Sequence, residues 1–261
     1  MLLSNLDAAI SGEDESPPKI GRVLLSHRLF RRLTRKDLAR ITGISEPHIE
    51  KMERGTRAVS SEHLDLLLQA LGIYELARDE YADLAYQPET VRTRLLGSKG
   101  ISPENQDLAL LTSLGCPAAL MAPASWDLLA TNEPFDIAFP GASESRNLLK
   151  WLLFDPRARQ VLPEPYWTQE THLMVGALHC LWPTFVPRPR LGQLLNELVE
   201  APEFEEFWLT PIPADAVPSI TIRLQDIETG TTIEHFRQLN HPQFPYNRSW
   251  RVYALPPACN G

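Results

Sequence analysis

Between Thr34 and Arg57 the chain reads Thr-Arg-Lys-Asp-Leu-Ala-Arg-Ile-Thr-Gly-Ile-Ser-Glu-Pro-His-Ile-Glu-Lys-Met-Glu-Arg-Gly-Thr-Arg. The spacing predicts two short helices joined by a glycine turn. Thr34 is placed to cap the first helix, and Asp37 three residues on can return a bond to the Thr34 amide, as a capping box does. Leu38 and Ile41, one turn apart, are its expected buried stripe. Gly43 supplies the positive φ of a sharp turn, and Ile44 plugs the gap between the helices. Ser45 caps the second helix, whose first turn tolerates Pro47 because amides there have no intrahelical partner. Ile49 and Met52 face inward, which leaves Glu46, His48, Glu50, Lys51 and Arg54 outward, and Gly55 ends the helix.

Further helices fit around this pair. Ile20, Val23, Leu24, Leu29 and Phe30 predict an amphipathic helix before it. Ser60 or Ser61 can cap a later one carrying Leu64, Leu67, Leu68 and Leu71 at helical spacing, closed by Gly72. Ala77, Tyr81, Leu84 and Ala85 predict a fifth, and a bundle of that size can bury its own core.

The segment from Ile20 to about Ala85 resembles the Cro/phage-repressor (XRE-type) helix-turn-helix family, through L-T-R-K-D-L-A, then G-I-S-E-P-H-I-E-K-M-E-R-G, then a leucine-rich helix ending A-L-G-I. The resemblance implies binding to double-stranded DNA, with the second helix of the pair in the major groove. It places Thr34 and Arg35 by the phosphate backbone and Ser45, Glu46, Pro47, His48 and Lys51 at or near base edges. Arg54, Thr56 and Arg57 fall where the family touches backbone. Glu46 and Pro47 depart from the glutamine-rich start of well-known members; Glu can accept from cytosine N4, whereas Pro offers apolar contact only.

Charge agrees. Residues 19–57 hold 11 Lys or Arg against 4 Asp or Glu, a net of +7, so the remainder of a chain of net charge −8 carries −15. A basic module on an acidic chain suits salt-dependent phosphate contact. The competing reading is a solvated charged helix pair in a protein-contacting adaptor. At 261 residues two domains are expected: a leader at 1–18, whose acidic, proline-ended part is expected to be mobile, a helix-turn-helix domain at 19–86, a linker at 87–102, a second domain at 103–257 and a tail at 258–261. No apolar run approaches the ~18 residues of a membrane span. The N-terminus lacks the basic start and apolar core of an export signal, so the cytoplasm is the expected compartment. Cys116, Cys180 and Cys259 are too scattered for a disulfide framework or a cysteine metal site. His172 and His179-Cys180 lack further ligands at suitable spacing and read as packing residues, so no metal site is expected.

The second domain begins after a break at Gln87-Pro88 and a Gly97-to-Gly100 joint. Ser102-Pro103-Glu104 predicts a helix start with Leu108 and Leu111 inward. Residues 118–121 and 126–130 read as a hairpin. Helices follow over Asn132 to Phe139, Arg146 to Phe154, Pro156 to Leu162, Thr168 to Leu181, Leu191 to Ala201 and Pro202 to Leu209. Strict alternation over 220–227 and 232–239, around a turn at Glu228–Gly230, predicts a second hairpin, and 249–255 a last strand. The predicted class is an all-α N-terminal helix-turn-helix bundle plus an α+β C-terminal domain, an antiparallel sheet with helices on one side.

Residues 126–132, 145–159 and 201–208 are similar to the ligand-binding domain of MmyB-like regulators, a PAS-like domain that habitually follows an XRE-type helix-turn-helix; only 210–248, here proline-rich, departs from the pattern. The resemblance implies a small hydrophobic ligand, fatty-acyl molecules being candidates, and no other cofactor. Trp126, Phe135, Phe139, Trp151, Phe154 and Trp182 lie in elements that would surround a cavity, as do Phe185, Phe207 and Trp208. Asn132, Arg146 and Asn147 are the head-group candidates. Each of these residues equally suits plain core packing or capping. No nucleophile elbow, phosphate-cradling loop or metal spacing is present, so no catalytic residue is named and an enzyme is not expected. Three readings stand: a ligand-responsive regulator, a regulator whose second domain only dimerises it, and a non-DNA adaptor. For the first, a homodimer held by the second domain would read half-sites ~34 Å apart, with ligand changing their spacing about the linker.

Overall fold

The computed structural model describes residues 20–73, 81, 102–210, 221–240 and 250–258. The expected leader, the fifth helix apart from Tyr81, the 87–101 part of the linker, residues 211–220 and 241–249 and the end of the tail lie outside the described residues. By contact the chain divides into two compact units, residues 1–93 with 180–196 and residues 94–179 with 197–261.

In the first unit, α1 (Ile20–Phe30), α2 (Arg35–Thr42), α3 (Glu46–Glu53) and α4 (Ser61–Ala70) surround a core of Val23, Leu24, Leu38, Ile44, Ile49, Met52, Leu64, Leu67, Leu68 and Leu71, which Tyr81 joins. Thr34 and Asp37 form the expected capping box on α2, and Gly43 follows it at φ 74°. Ser60 caps α4, accepting from the His63 amide. Gly21 is required by a close approach: a Cβ there would lie 2.2 Å from the Met52 carbonyl oxygen. Ile41 is not buried as expected but 52% exposed. An eight-residue helix packed on one side buries a narrow stripe, here Leu38 flanked by the half-buried Arg35, Ala39 and Thr42, and Ile41 falls just outside it.

The second unit has a four-stranded antiparallel sheet of order β2-β1-β6-β5, from β1 (Ala118–Met121), β2 (Leu128–Thr131), β5 (Gln238–Asn240) and β6 (Arg251–Ala254). Every residue of the central β1 is buried; Ala119 pairs with Thr131 on one side and Tyr253 on the other. The expected second hairpin forms as β3 (Thr221–Gln225) and β4 (Thr232–Phe236), but as a separate two-stranded sheet. The alternating run to Leu239 is cut at Arg237, after which β5 turns to pair with β6. His235 ties the hairpin to the end of β6, its Nδ1 2.8 Å from the Leu255 carbonyl oxygen.

The helices of this region are α5 (Asn105–Ser113), α6 (Glu133–Ala138), α7 (Ala142–Ser145), α8 (Leu148–Phe154), α9 (Ala158–Val161), α10 (Tyr166–Phe185), α11 (Arg188–Leu198) and α12 (Phe204–Leu209), residues 180–196 being counted with the first unit. Two further expectations are corrected. The cap of α5 is Glu104, paired with Asp107, not Ser102, because only Glu104 stands three residues before an acid that can return the bond. Leu108 is 39% exposed, since Asp107 and Leu111 take the inward positions. None of the described helices is long and apolar enough to cross a membrane.

Candidate functional site

The first unit presents α3 with two unlike faces. Ile49, Met52 and Glu53 are buried, whereas Ser45, Glu46, Pro47 and Lys51 are exposed and His48 is half-buried. Ser45 stands at the cap position, yet its hydroxyl makes no cap bond. The inner end of α3 is held by charge. Glu53 receives Arg28 of α1 through Nε at 2.5 Å and Nη2 at 3.0 Å, and Arg35 of α2 through Nε at 2.8 Å. Three helices therefore meet on one buried carboxylate, and the angle at which α3 is offered depends on it. Nothing in the local sequence pattern distinguished Glu53 from its exposed neighbours.

The candidate phosphate contacts surround that face. Thr34 is exposed at the start of α2, its hydroxyl donating to Asp37 at 2.6 Å, and this bonding holds the Asp37 carboxyl below the usual carboxylate range. Arg54 is paired with Glu50 at 2.7 Å, but 67% and 36% side-chain exposure makes that pair weak and exchangeable. Thr56 and Arg57 follow Gly55 on an exposed turn folded back onto the Lys51 carbonyl. A recess of about 370 Å³ brings Thr34, Arg35 and Glu46 together with Arg28 and Arg32. His48 stacks edge-on to His63, ring centres 4.7 Å apart. Burial of its ring, then the charges of Arg57, His63 and Lys51, hold its pKa below the usual histidine value.

In the second unit, Phe135, Phe139 and Trp151 form a buried aromatic nest, with centroid distances of 4.6 and 5.6 Å. The Trp151 indole donates to the Pro140 carbonyl at 3.0 Å. Half-buried Trp126 donates to the Met174 carbonyl of α10. Phe154 is 46% exposed and Arg146 is an exposed left-handed residue ending α7, so neither is brought to the nest. Trp182, which counts with the first unit, is buried, and among the described residues its indole nitrogen has no partner.

The two asparagines are occupied, Asn132 by backbone groups and Asn147 by backbone and the Asp127 carboxylate. Asn132 caps α6, accepts from the Ala118 amide at 2.9 Å, and donates to the carbonyls of Leu114 and Cys116 at 3.0 and 2.9 Å. Asn147 caps α8 and donates to Ser125 and Asp127 at 2.7 and 2.8 Å. Their amides join strand to helix, and this saturation leaves little for a head group. His172 and His179 stack on Phe207 and Trp208 at 4.9 and 4.7 Å.

Sequence reasoning missed a buried ion pair. Arg237, between β4 and β5, donates through Nη2 to Oε1 of Glu170 on α10. Their side chains are 15% and 11% exposed. Among the described residues, Glu170 Oε2 and Arg237 Nε, both buried, have no partner, and neither does the Thr171 hydroxyl. Burial pushes the Glu170 carboxyl above its usual range, against the pull of Arg237. Tyr253 of β6 lies close enough to feel both charges, and burial pushes its phenol up, keeping it neutral. Glu170 and Arg237 are 67 positions apart, so no spacing rule could have paired them.

Two known families match the chain. Residues 28–77 match the family described as helix-turn-helix, and residues 105–259 match the MmyB-like transcription regulator ligand binding domain. No curated protein matches the chain.

Proposed function

The chain belongs to the MmyB-like transcription regulators, and from that premise we propose a ligand-responsive regulator that reads a duplex operator as a homodimer. A DNA-binding helix-turn-helix followed by a ligand-binding domain is the common ground; the operator contacts, ligand class and dimerisation are the proposal. In it, α3 enters the major groove with Ser45, Glu46, Pro47, His48 and Lys51 toward base edges. Thr34, Arg35, Arg54, Thr56 and Arg57 grip the flanking phosphates. Phosphate contacts set register and most of the affinity, and base-edge contacts carry the sequence preference.

The observation that carries this reading is the two-faced α3: its outer side leaves Glu46, Pro47 and Lys51 exposed, and its inner side is fixed by Ile49, Met52 and the Glu53 ion pairs. A reading helix must be rigid from behind and open in front. The ligand is hydrophobic, a fatty-acyl molecule being one candidate, and the aromatic nest of Phe135, Phe139 and Trp151 supports an apolar interior. Ligand acts to the extent that it binds two arrangements of the dimer unequally.

Selection from random duplex oligonucleotides at low salt, followed by footprinting, tests the proposal. A preferred inverted repeat whose affinity falls steeply with salt supports it. Lys51→Ala should weaken the selected site by about 1–3 kcal/mol with unchanged melting. Absence of any preferred duplex would leave the adaptor reading in its place.

A further inference from the structure

We infer that the Glu170–Arg237 pair is the polar end of the ligand site, and that it selects an uncharged head group that both donates and accepts a hydrogen bond, a carboxamide or an alcohol, over a free carboxylate. This rests on the reading of the second domain as the receiver of a hydrophobic ligand.

One bond, Arg237 Nη2 to Glu170 Oε1, joins the side chains. Among the described residues, Glu170 Oε2 and Arg237 Nε stay buried without partners, one an acceptor and the other a donor. Buried polar atoms are nearly always paired, so two orphans on one ion pair mark a place built for something else. Their complement is a group with one donor and one acceptor. A carboxylate satisfies Arg237 Nε but turns a second negative oxygen toward Glu170. With Glu170 ionised the pair is neutral in sum, so an ionised head would arrive as an uncompensated buried charge. An amide or hydroxyl head satisfies both atoms and brings no charge.

Topology supplies the way in. Arg237 leads directly into β5, which has three residues and, among the described residues, lies at the edge of the sheet and pairs with β6 alone. Easing that short edge strand outward breaks a ladder on one side only. Glu170 stays fixed on the 20-residue α10, and Tyr253 on β6, paired with Leu239, adds a neutral phenol beside the two charges.

The test uses the full-length chain with dodecanamide, dodecan-1-ol and dodecanoate at pH 7.5, read by native mass spectrometry and by shift of the melting temperature. The amide and the alcohol should bind about tenfold more tightly than dodecanoate, as a site built around a specific hydrogen-bond pair discriminates. Glu170→Gln keeps the side-chain shape but leaves the Arg237 charge unbalanced, and should reverse the order in favour of dodecanoate. Dodecanoate binding as well as the amide to the unmodified chain would overturn the inference while leaving the hydrophobic-ligand reading intact, as would an unchanged order in a folded Glu170→Gln variant. Should that variant fail to fold, the ranking on the unmodified chain decides. Binding of none of the three probes would instead remove the hydrophobic-ligand reading, and this inference with it.

Discussion

Arg28 and Glu53 form a buried two-bond clasp between α1 and the last residue of α3, with Nε 2.5 Å from Oε1 and Nη2 3.0 Å from Oε2. Their side chains are 8% and 2% exposed, so neither charge has solvent to fall back on. Glu53→Ala strands Arg28 in the interior and releases Arg35. Removing one member of a buried pair costs about 3–5 kcal/mol. The midpoint of urea unfolding should fall accordingly, and duplex affinity should fall further than the folded fraction explains. An unchanged midpoint would show that the clasp is not structural.

Gly21→Ala tests the close crossing of α1 over the end of α3. The added methyl would sit 2.2 Å from the Met52 oxygen and 2.7 Å from the Glu53 oxygen, both backbone atoms that cannot rotate away. Overpacking of this kind costs about 1–3 kcal/mol. Calorimetry should show a lower melting temperature, and exchange of the α3 amides should accelerate.

Asn132→Asp separates structure from ligand recognition. The substitution keeps the acceptor for Ala118 and Phe135 but removes the donors to Leu114 and Cys116, and points a carboxylate at their carbonyl oxygens. Leaving buried groups unsatisfied costs about 1–3 kcal/mol, and more when a charge is involved. Chemical denaturation should report that loss in the absence of any ligand.

Asp155→Asn concerns acid stability. Hydrogen bonding from Arg157, opposed by burial, holds the Asp155 carboxyl below its ordinary 3.8. A depressed folded pKa binds fewer protons than the unfolded chain, so its stabilisation is present above 3.8 and is lost as pH falls through the lower folded value. The unmodified chain should therefore lose this contribution below about pH 4, and Asp155→Asn should flatten that part of the curve while lowering stability at neutral pH. Melting temperatures from pH 7 to pH 2 check both effects.

The parts legible from the sequence are those governed by neighbours a few residues apart. The Thr34–Asp37 box, the left-handed Gly43 and Gly55 and the buried leucines of α4 are set within one or two turns, where propensity and spacing act directly. Ile41 and Leu108 misled because periodicity gives the direction of an apolar stripe but not its width, which tertiary packing decides. In the run 232–239 the apolar Ile233, Phe236 and Leu239 stand three apart, so a single alternating strand is the wrong reading of it, and packing divides it between two sheets at Arg237. In the candidate sites, the outward set of α3 follows from helical spacing. Glu53, Glu170 and Arg237 depend on partners 25, 18 or 67 positions away, and such distances leave no local trace.

The turn from Asp226 to Gly230 is exposed throughout and folded by its own bonds, the Asp226 carboxylate accepting from the Glu228 and Thr229 amides while Gly230 takes φ 69°. The hairpin's anchorage lies at its opposite end, through His235, Phe236 and Ala258. An epitope or a fluorescent label spliced between Glu228 and Thr229 should therefore be tolerated. That insertion point gives an experimenter an optical handle on the sensing half while sparing both the reading helix and the apolar interior.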